Sequence, residues 1–489
     1  MVHDLMTEPI LSWRDHQRNR KRTTLPGILA QLAAGTLEDF PKVRTHQFHP
    51  WVMFLTQLAI LALHKRGETD PRLDEAGWRE RLLALTEGAH EPWTLVVEDL
   101  SKPAFMQPPV PEGSVGEWSW IDHPDDRDVL VTAKQHDVKT GKVAGSDLEA
   151  WICALVSLQT MQGFPGRGYY GVSRMKGGYG NRPRVGVDPG HGLGNRFLRD
   201  VKVGLECWSG LVERGFSDGG VSLTWLVPWQ GDTSLDLRAL SPHYIEVCQR
   251  LRITPAPGGI VCRYSTSQTR RCIEAVENGD VGDLWTPIER EGGALTVGPS
   301  GFGYKLLSEL LFGEGYAPAV AQQLRPEDVE AAQLVFWAMP RGQGKTEGLH
   351  ERGIPMPLKV RKLLGEPQAR ARLGQRSTEA VQDAVKMRQK VLYPAMKCLG
   401  LAPADEFDDR VDEIFFAALY EGLDLSSDEA RLSWARRLRD LARAELEVAI
   451  QRAPLGEARH YKAISSAEGM FRGCLNKNFP DLEEVNANG

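Results

Sequence analysis

Hydrophobic and polar positions follow two regimes along the chain. From Ser377 onward apolar residues recur at helical spacing, as in Val381, Val385, Leu392, Met396 and Leu399, or Leu432, Ala435, Leu438, Ala442, Leu446 and Ala449. That spacing gives each helix one apolar stripe and predicts helices over about 377–399, 407–421, 427–452 and 457–476. Ser426 with Glu429 supplies a capping box for the third. Pro394, with no N–H and a ring that crowds the carbonyl four residues back, predicts a kink in the first. Four helices joined by short loops predict an antiparallel bundle. Its third helix gathers Arg436, Arg437, Arg439 and Arg443, either a solvated face or a guide for a nucleic-acid strand.

Before residue 370 the runs are shorter and mixed. WVMFLTQLAILAL at 51–63 is apolar on nearly every side, too short to cross a bilayer and interrupted by Thr56 and Gln57, so it predicts a buried helix over 50–65. WTLVVEDLSKPAFMQPP predicts a strand entering a proline-held loop. SDLEAWICALVSLQTMQ predicts a helix over 146–162, capped by Ser146 with Glu149. Residues 196–340 alternate short strands and helices, and 341–376, with nine Arg or Lys against three Glu, read as a basic connector. The fold class expected is α+β: a large mixed α/β domain over 1–370, then a four-helix bundle over 371–489, with no internal repeat.

Length and 42% hydrophobic content support at least one large core. Sixty-five acids outnumber 59 bases, a net charge of −6, so a nucleic-acid partner must be met by local basic patches and not by a global field. Seven cysteines without a CxxC pair make a poor disulfide framework, and a reducing cytoplasm is expected. The first residues show no charged-then-apolar targeting pattern, and no membrane partner is expected.

The composition changes sharply between Gly163 and Gly194, where eleven glycines stand in GFPGRGYYGVSRMKGGYGNRPRVGVDPGHGLG. Such a stretch cannot bury a core of its own and must lie on a scaffold or a partner. Arg167, Arg174, Lys176, Arg182 and Arg184 alternate with Phe164, Tyr169, Tyr170 and Tyr179, and no acid occurs from 163 to 187. Glycine backbone approaches a groove closely, guanidinium groups pair with phosphates and rings stack on bases. Nucleic-acid binding and a loop packed on protein both fit this composition.

A second glycine-bearing loop, PRGQGKTEG at 340–348, invites comparison with a phosphate-binding loop. That motif needs a glycine five residues before its GK pair, where Met339 stands, and a helix after it, where EGLHERGIPMP follows. An ATP-hydrolysing reading is therefore weak. Arg341 and Lys345 offer phosphate contacts, Gly342 and Gly344 a tight turn, and Gln343 a donor and acceptor at the tip. Other chemistries find less. GVSRM misses the hydrolase elbow because Met175 replaces its second glycine. His136–Asp137 is a lone dipeptide, and His46 with His49 lacks a third ligand, so neither zinc nor any other cofactor is expected.

Several segments together resemble the CasA-type large subunit of the type I-E CRISPR Cascade complex: LPGILAQLAAG, RTHQFHPWVMFLTQLAILAL, KPAFMQPP, AKQHDVK, ALVSLQTMQGFPGRGYYGVSRMKGGYGNRP, SPHYIEVCQRLRI, GDLWTPI and RGQGKTEGLHERGIPMP. The resemblance covers most of the chain and implies a non-catalytic subunit. Such a subunit reads the protospacer-adjacent motif in double-stranded target DNA from the minor groove with a glycine loop and a lysine. A glutamine-tipped wedge then opens the duplex for the guide RNA. By resemblance the glycine loop is Gly163, Gly166, Arg167 and Gly168, with Arg174 nearby, and the wedge is Gln343, Gly344 and Lys345 beside Arg341. Lys134, His136 and Lys139 of AKQHDVK fall where the family docks near the RNA handle and a neighbouring subunit. The implied partners are guide RNA, target DNA, the other Cascade subunits, and a recruited helicase-nuclease or a nuclease domain on another subunit. Two features depart from the family: no Lys lies between Ile273 and Trp285, leaving Arg270 and Arg271 as the nearest substitutes, and no cysteine cluster surrounds Cys248 and Cys262.

Overall fold

The helix Thr45–Arg66 is buried on all sides over most of its length, as its uninterrupted apolar run requires. Its polar interruptions are satisfied internally: Thr56 Oγ1 donates to Val52 O at 2.9 Å, and Gln57 Nε2 donates to the carbonyls of His243 and Tyr244, each at 3.1 Å. Gly67 ends it in the left-handed region at φ 69°, where its N–H meets the last free carbonyls. The helices Leu148–Met161 and Leu193–Glu206 pack against it. This computed structural model describes residues 3–126, 147–164, 166–178, 180–273, 278–328, 331–342, 345–346, 348–401, 406–453 and 457–482.

The chain has a mixed helix and sheet fold and divides into two compact units, Met1–Gly301 with Ala317–Met356, and Phe302–Tyr316 with Pro357–Gly489. The expected connector is ordered structure: the strand His350–Pro355 belongs to the first unit, and the helix Leu358–Gly365 and the start of the helix Pro367–Lys386 belong to the second, which the chain re-enters at Pro357 where 371 was expected.

Two further expectations are corrected in the first unit. The segment after Trp93 forms isolated bridges and no strand. Its carbonyls are taken instead by a buried guanidinium, Arg252, which donates to Val97 O, Asp99 O and Lys102 O. The helix Leu148–Met161 is capped by Asp147, which accepts from Ala150 N at 2.8 Å; Glu149 turns away to accept from Ser12 N and Oγ in the interior.

In the second unit the four predicted helical segments appear as Pro367–Lys386 running on through Met387–Leu392 to Tyr393–Cys398, then Glu406–Glu421, Ser427–Arg452 and Glu457–Asn478. The Met387–Leu392 turn is π-helical, and Pro394 follows it with no N–H for the carbonyl of Lys390. The Ser426–Glu429 capping box is present in both directions. Phe415 packs edge-on against Phe416 and Trp434 in the core of this unit, and the short helix Tyr304–Phe312 joins it through Ser308 Oγ and Ser377 Oγ at 2.6 Å. Arg437, Arg439 and Arg443 are each paired with carboxylates, which favours a solvated face. All seven cysteines are free thiols. Among the described residues no helix is long and apolar enough to cross a membrane.

Candidate nucleic-acid interface

A three-stranded antiparallel sheet in the first unit brings the two glycine-bearing segments together at one of its ends. Its central strand, Gln333–Ala338, is apolar and almost wholly buried, and lies between His350–Pro355 and Arg184–Asp188. The register pairs Trp337 with Arg184 and Ala338 with His350. The glycine-rich segment therefore enters the sheet at the same end where the GQGKT loop leaves and returns. Asn181 N donates to Met339 O at 3.1 Å and extends that contact past the strands. The GDLW segment joins them through Val185 N, which donates to Trp285 O at 2.8 Å.

Backbone contacts fold the glycine-rich segment back on itself. Gly163 N donates to Gly180 O at 2.8 Å, Phe164 N to Gly178 O at 2.9 Å and Val172 N to Gln162 O at 2.9 Å. Chains this close leave no room for a side chain: a Cβ on Gly163 would lie 2.7 Å from Gly178 O, and one on Gly171 2.4 Å from the carbonyl carbon of Gly163. Gly168, at φ 83°, sits under Thr266 and accepts from Ser267 N at 2.8 Å. Gly166 faces open space, and Arg167 beside it is exposed. Of the four residues expected in this loop, Gly163 is thus a buried packing position, while Gly166, Arg167 and Gly168 form the outer turn.

Most of the segment's positive charge does not reach the surface, which corrects Arg174 and Arg271 as DNA contacts. Arg174 is buried, with Nη1 donating to Glu246 Oε1 at 2.9 Å, Nη2 to Tyr244 O at 2.7 Å, and its guanidinium stacked 4.0 Å over the Tyr244 ring. Burial opposes its charge, yet Tyr244, Glu246 and Asp283 hold its pKa above the ordinary value. Arg182 is locked to Asp283, and Arg184 lies 3.4 Å from Asp200. Burial, with Arg196 alongside, brings Arg184 down to about 9. Arg271 donates to the carbonyls of Thr224 and Val227 beneath Trp229. A run of glycines lacks the apolar volume to hold itself in place, and these arginines do that work with ion pairs. Arg270 remains partly exposed.

Lys176, counted among the segment's bases but not singled out as a contact, does reach the surface. It is exposed, its Nζ lies 3.5 Å from Glu289 Oε2, and its backbone supports Gly279, where a Cβ would come within 2.8 Å of Lys176 N. Both side chains of that pair are more than two-fifths exposed, so the pairing is weak and exchangeable. Its place beside the 278–286 loop comes only from the fold, since more than a hundred residues separate them.

The GQGKT loop is a β-hairpin. Arg341–Gly342 pairs with Lys345–Thr346, Gly342 opposite Lys345. Gln343 and Gly344, which connect them, lie outside the described residues, as do Lys134, His136 and Lys139. A phosphate-binding loop needs a helix starting at the lysine; here the lysine begins a strand, so that geometry is absent. The returning strand is anchored at its base. Buried His49 donates from Nε2 to Glu351 Oε1 at 2.9 Å while its Nδ1 accepts from Arg196 Nη2 at 2.8 Å, an arrangement of the neutral ring.

His49 and His243 are both held neutral by burial, His49 also by Arg196 and Arg184, and His243 is brought down to about 4. An unfolded histidine titrates near 6.5, so below that pH the unfolded chain binds more protons than the folded one. The stability these groups contribute is complete above about pH 6.5 and is lost as pH falls toward 4. Urea unfolding should show a midpoint that declines from pH 7 to pH 4.5, and His49→Gln should flatten the decline; equal slopes in the two proteins would contradict it.

Among the described residues no other catalytic arrangement is assembled. Ser173 is buried against Tyr244 and Glu246, with no partner among the described histidines. Cys207 Sγ lies 3.5 Å from His243 Nε2, but that nitrogen donates to Gly204 O at 2.9 Å and cannot serve as a base, and burial lifts the thiol to about 11. Among the described residues no group of three His, Cys, Asp or Glu side chains is placed to hold a metal.

No protein-family model matches this chain, and no curated protein does. Solved structures do. The CRISPR-associated protein Cse1 from Acidimicrobium ferrooxidans matches with a TM-score of 0.65 at 16% identity, over 99% of both chains. Thermus thermophilus CasA (Cse1) matches with 0.60 at 14% identity, over 97% of this chain and 99% of that one. A chain of a CRISPR RNA-guided surveillance complex matches with 0.57 at 14% identity, over 96% of this chain and 99% of its own. Over its full length the chain has the fold of the Cse1/CasA proteins, and at these identities the likeness is one of fold.

Proposed function

We propose that this chain is the large subunit of a type I-E CRISPR guide-RNA surveillance complex, where it recognises a short motif in double-stranded DNA and starts to unwind it. The observation that carries this reading is the meeting of the glycine-rich segment, the GDLW segment and the GQGKT hairpin at one end of one sheet. In this role the subunit does no covalent chemistry. Backbone at Gly166 and Gly168, with Arg167, Lys176 and Arg270, approaches the minor groove. That groove offers a degenerate pattern, chiefly A·T against G·C, which suits a backbone reader with few side chains.

The hairpin acts next. Exchanging DNA duplex for RNA–DNA heteroduplex is nearly balanced in energy, so the difficult step is opening the first pair, about a few kcal/mol for one unstacked step. Gln343 at the tip, between Gly342 and Gly344, enters that step while Arg341 and Lys345 meet phosphates. Lys134, His136 and Lys139 dock near the guide RNA or a neighbouring subunit. Cleavage falls to a recruited helicase-nuclease or a nuclease domain on another subunit.

Charge reversal in the outer turn tests the reading. Arg167→Asp and Gly166→Asp should each lower affinity for target duplex at least about tenfold, since each places a carboxylate at the phosphate backbone, while assembly with guide RNA persists. Mobility shifts at matched salt measure it. Wild-type binding by both variants would remove this turn as the reader, and equal binding of every duplex by the wild type would point to a non-specific subunit instead.

A further inference from the structure

Asp283 is buried and has four neighbouring donors. Its carboxylate accepts from Arg182 Nε at 2.7 Å and from Arg182 Nη2, accepts from Thr286 Oγ1, and faces Arg174 Nε at 3.6 Å. Arg174 and Arg182 bracket the stretch 175–181 on which Lys176 stands. One carboxylate from the GDLW segment therefore grips both ends of that stretch. The far side of Arg174 is gripped in turn by Glu246, which also accepts from Ser173 N at 2.9 Å. The apolar packing here is slight, a small cluster of Val172, Met175 and Cys248. The neighbouring loop meets the stretch backbone to backbone: a Cβ on Gly279 would lie 2.6 Å from the carbonyl carbon of Met175. Buried ion pairs contribute little net stability over an apolar replacement, and their best-attested use is to fix register. A backbone reader needs that register, since a small misplacement removes its discrimination.

We infer that Asp283 is the positioning residue of the interface: it sets the stretch carrying Lys176 and the adjoining glycine turn in the one register that distinguishes DNA sequences. The inference rests on the reading of this face as a motif reader. Asp283 touches no DNA and acts through Arg174 and Arg182.

The test uses the full chain assembled with guide RNA and companion subunits, and duplex targets with a randomised flank, so that wild type defines the preferred motif. The readout is the ratio of affinities for preferred and non-preferred flanks. Asp283→Asn, which keeps the shape and removes the charge, should lower that ratio at least about tenfold, the scale of one lost base-pair discrimination. Affinity for non-preferred duplex should stay within about twofold, as expected when phosphate contacts are untouched. A merely structural role would lower both affinities together through the active fraction and leave the ratio unchanged, and that result overturns the inference. Should Asp283→Asn fail to assemble, Thr286→Val decides, because it keeps the charge and removes only the hydroxyl that meets Asp283 and Pro183 O. A smaller fall in the ratio supports the inference, and a wild-type ratio overturns it. A wild-type complex with no flank preference defeats the motif-reader reading itself, and this inference with it.

Discussion

Alanine at position 163 should loosen the whole glycine-rich segment, although the substitution adds one methyl group. The new Cβ would stand 2.7 Å from Gly178 O and 2.8 Å from Gly180 O. Those two oxygens already accept from Phe164 N and Gly163 N, so relieving the clash breaks the hydrogen bonds that fold the segment. Overpacking against backbone with loss of those bonds costs on the order of 3 kcal/mol, or about a hundredfold in the local opening equilibrium. Amide hydrogen exchange reads this directly, because sub-global opening limits exchange at protected sites. Amides of residues 163–184 should exchange about a hundredfold faster in Gly163→Ala. Gly166→Ala should leave most of that protection in place, since a Cβ there meets nothing within 4 Å and the strain from its φ of 159° falls on the outer turn. Equal protection in wild type and Gly163→Ala would contradict the account. The contrast separates a glycine that builds the interface from one that presents it.

Helical periodicity made the second unit legible. The stripe through Leu438 and the Ser426–Glu429 box are local signals that packing did not override, whereas Val381 and Val385 are only partly buried and Asp383, Ala384 and Met387 turn inward there. The helix at Thr45–Arg66 was equally legible from its apolar run. Where sequence reasoning went astray, a long-range partner decided. Arg252 took the carbonyls of Val97 and Asp99 that the expected strand before the proline-held loop would have paired, and Ser12 took the carboxylate that Glu149 would have turned to its own helix end.

At the candidate site, composition drew out two segments that the sheet brings together, and misjudged the charges of the first. A glycine-rich run with five bases and no acids looks like a phosphate cradle, yet Arg174, Arg182 and Arg184 face Glu246, Asp283 and Asp200, which lie up to about a hundred residues away in sequence. No local pattern announces those pairings. The three carboxylates neutralise the segment inside, and only Arg167 and Lys176 carry its charge outward. The same long-range logic placed Lys176 beside the loop in which the family resemblance led one to seek a lysine.

The second large effect concerns the hairpin. Were GQGKT a nucleotide site, Lys345→Ala would abolish its activity and Gln343→Ala would do little. The strand at Lys345–Thr346 opposes that reading. Under the proposed role, Gln343→Ala keeps motif binding but slows strand opening by a factor on the order of ten to a hundred, as expected when part of a few-kcal/mol unstacking cost goes uncompensated. Lys345→Ala costs a single phosphate contact and lowers the salt dependence of binding by about one unit of slope.

R-loop formation by the guide-RNA complex, followed without nucleotide on a fully paired target and on one with a short bubble beside the motif, tests the central claim most directly. The account predicts that Gln343→Ala is slow on the paired target and as fast as wild type on the bubble; a defect that persists on the bubble, or a requirement for ATP on the paired target, would contradict it.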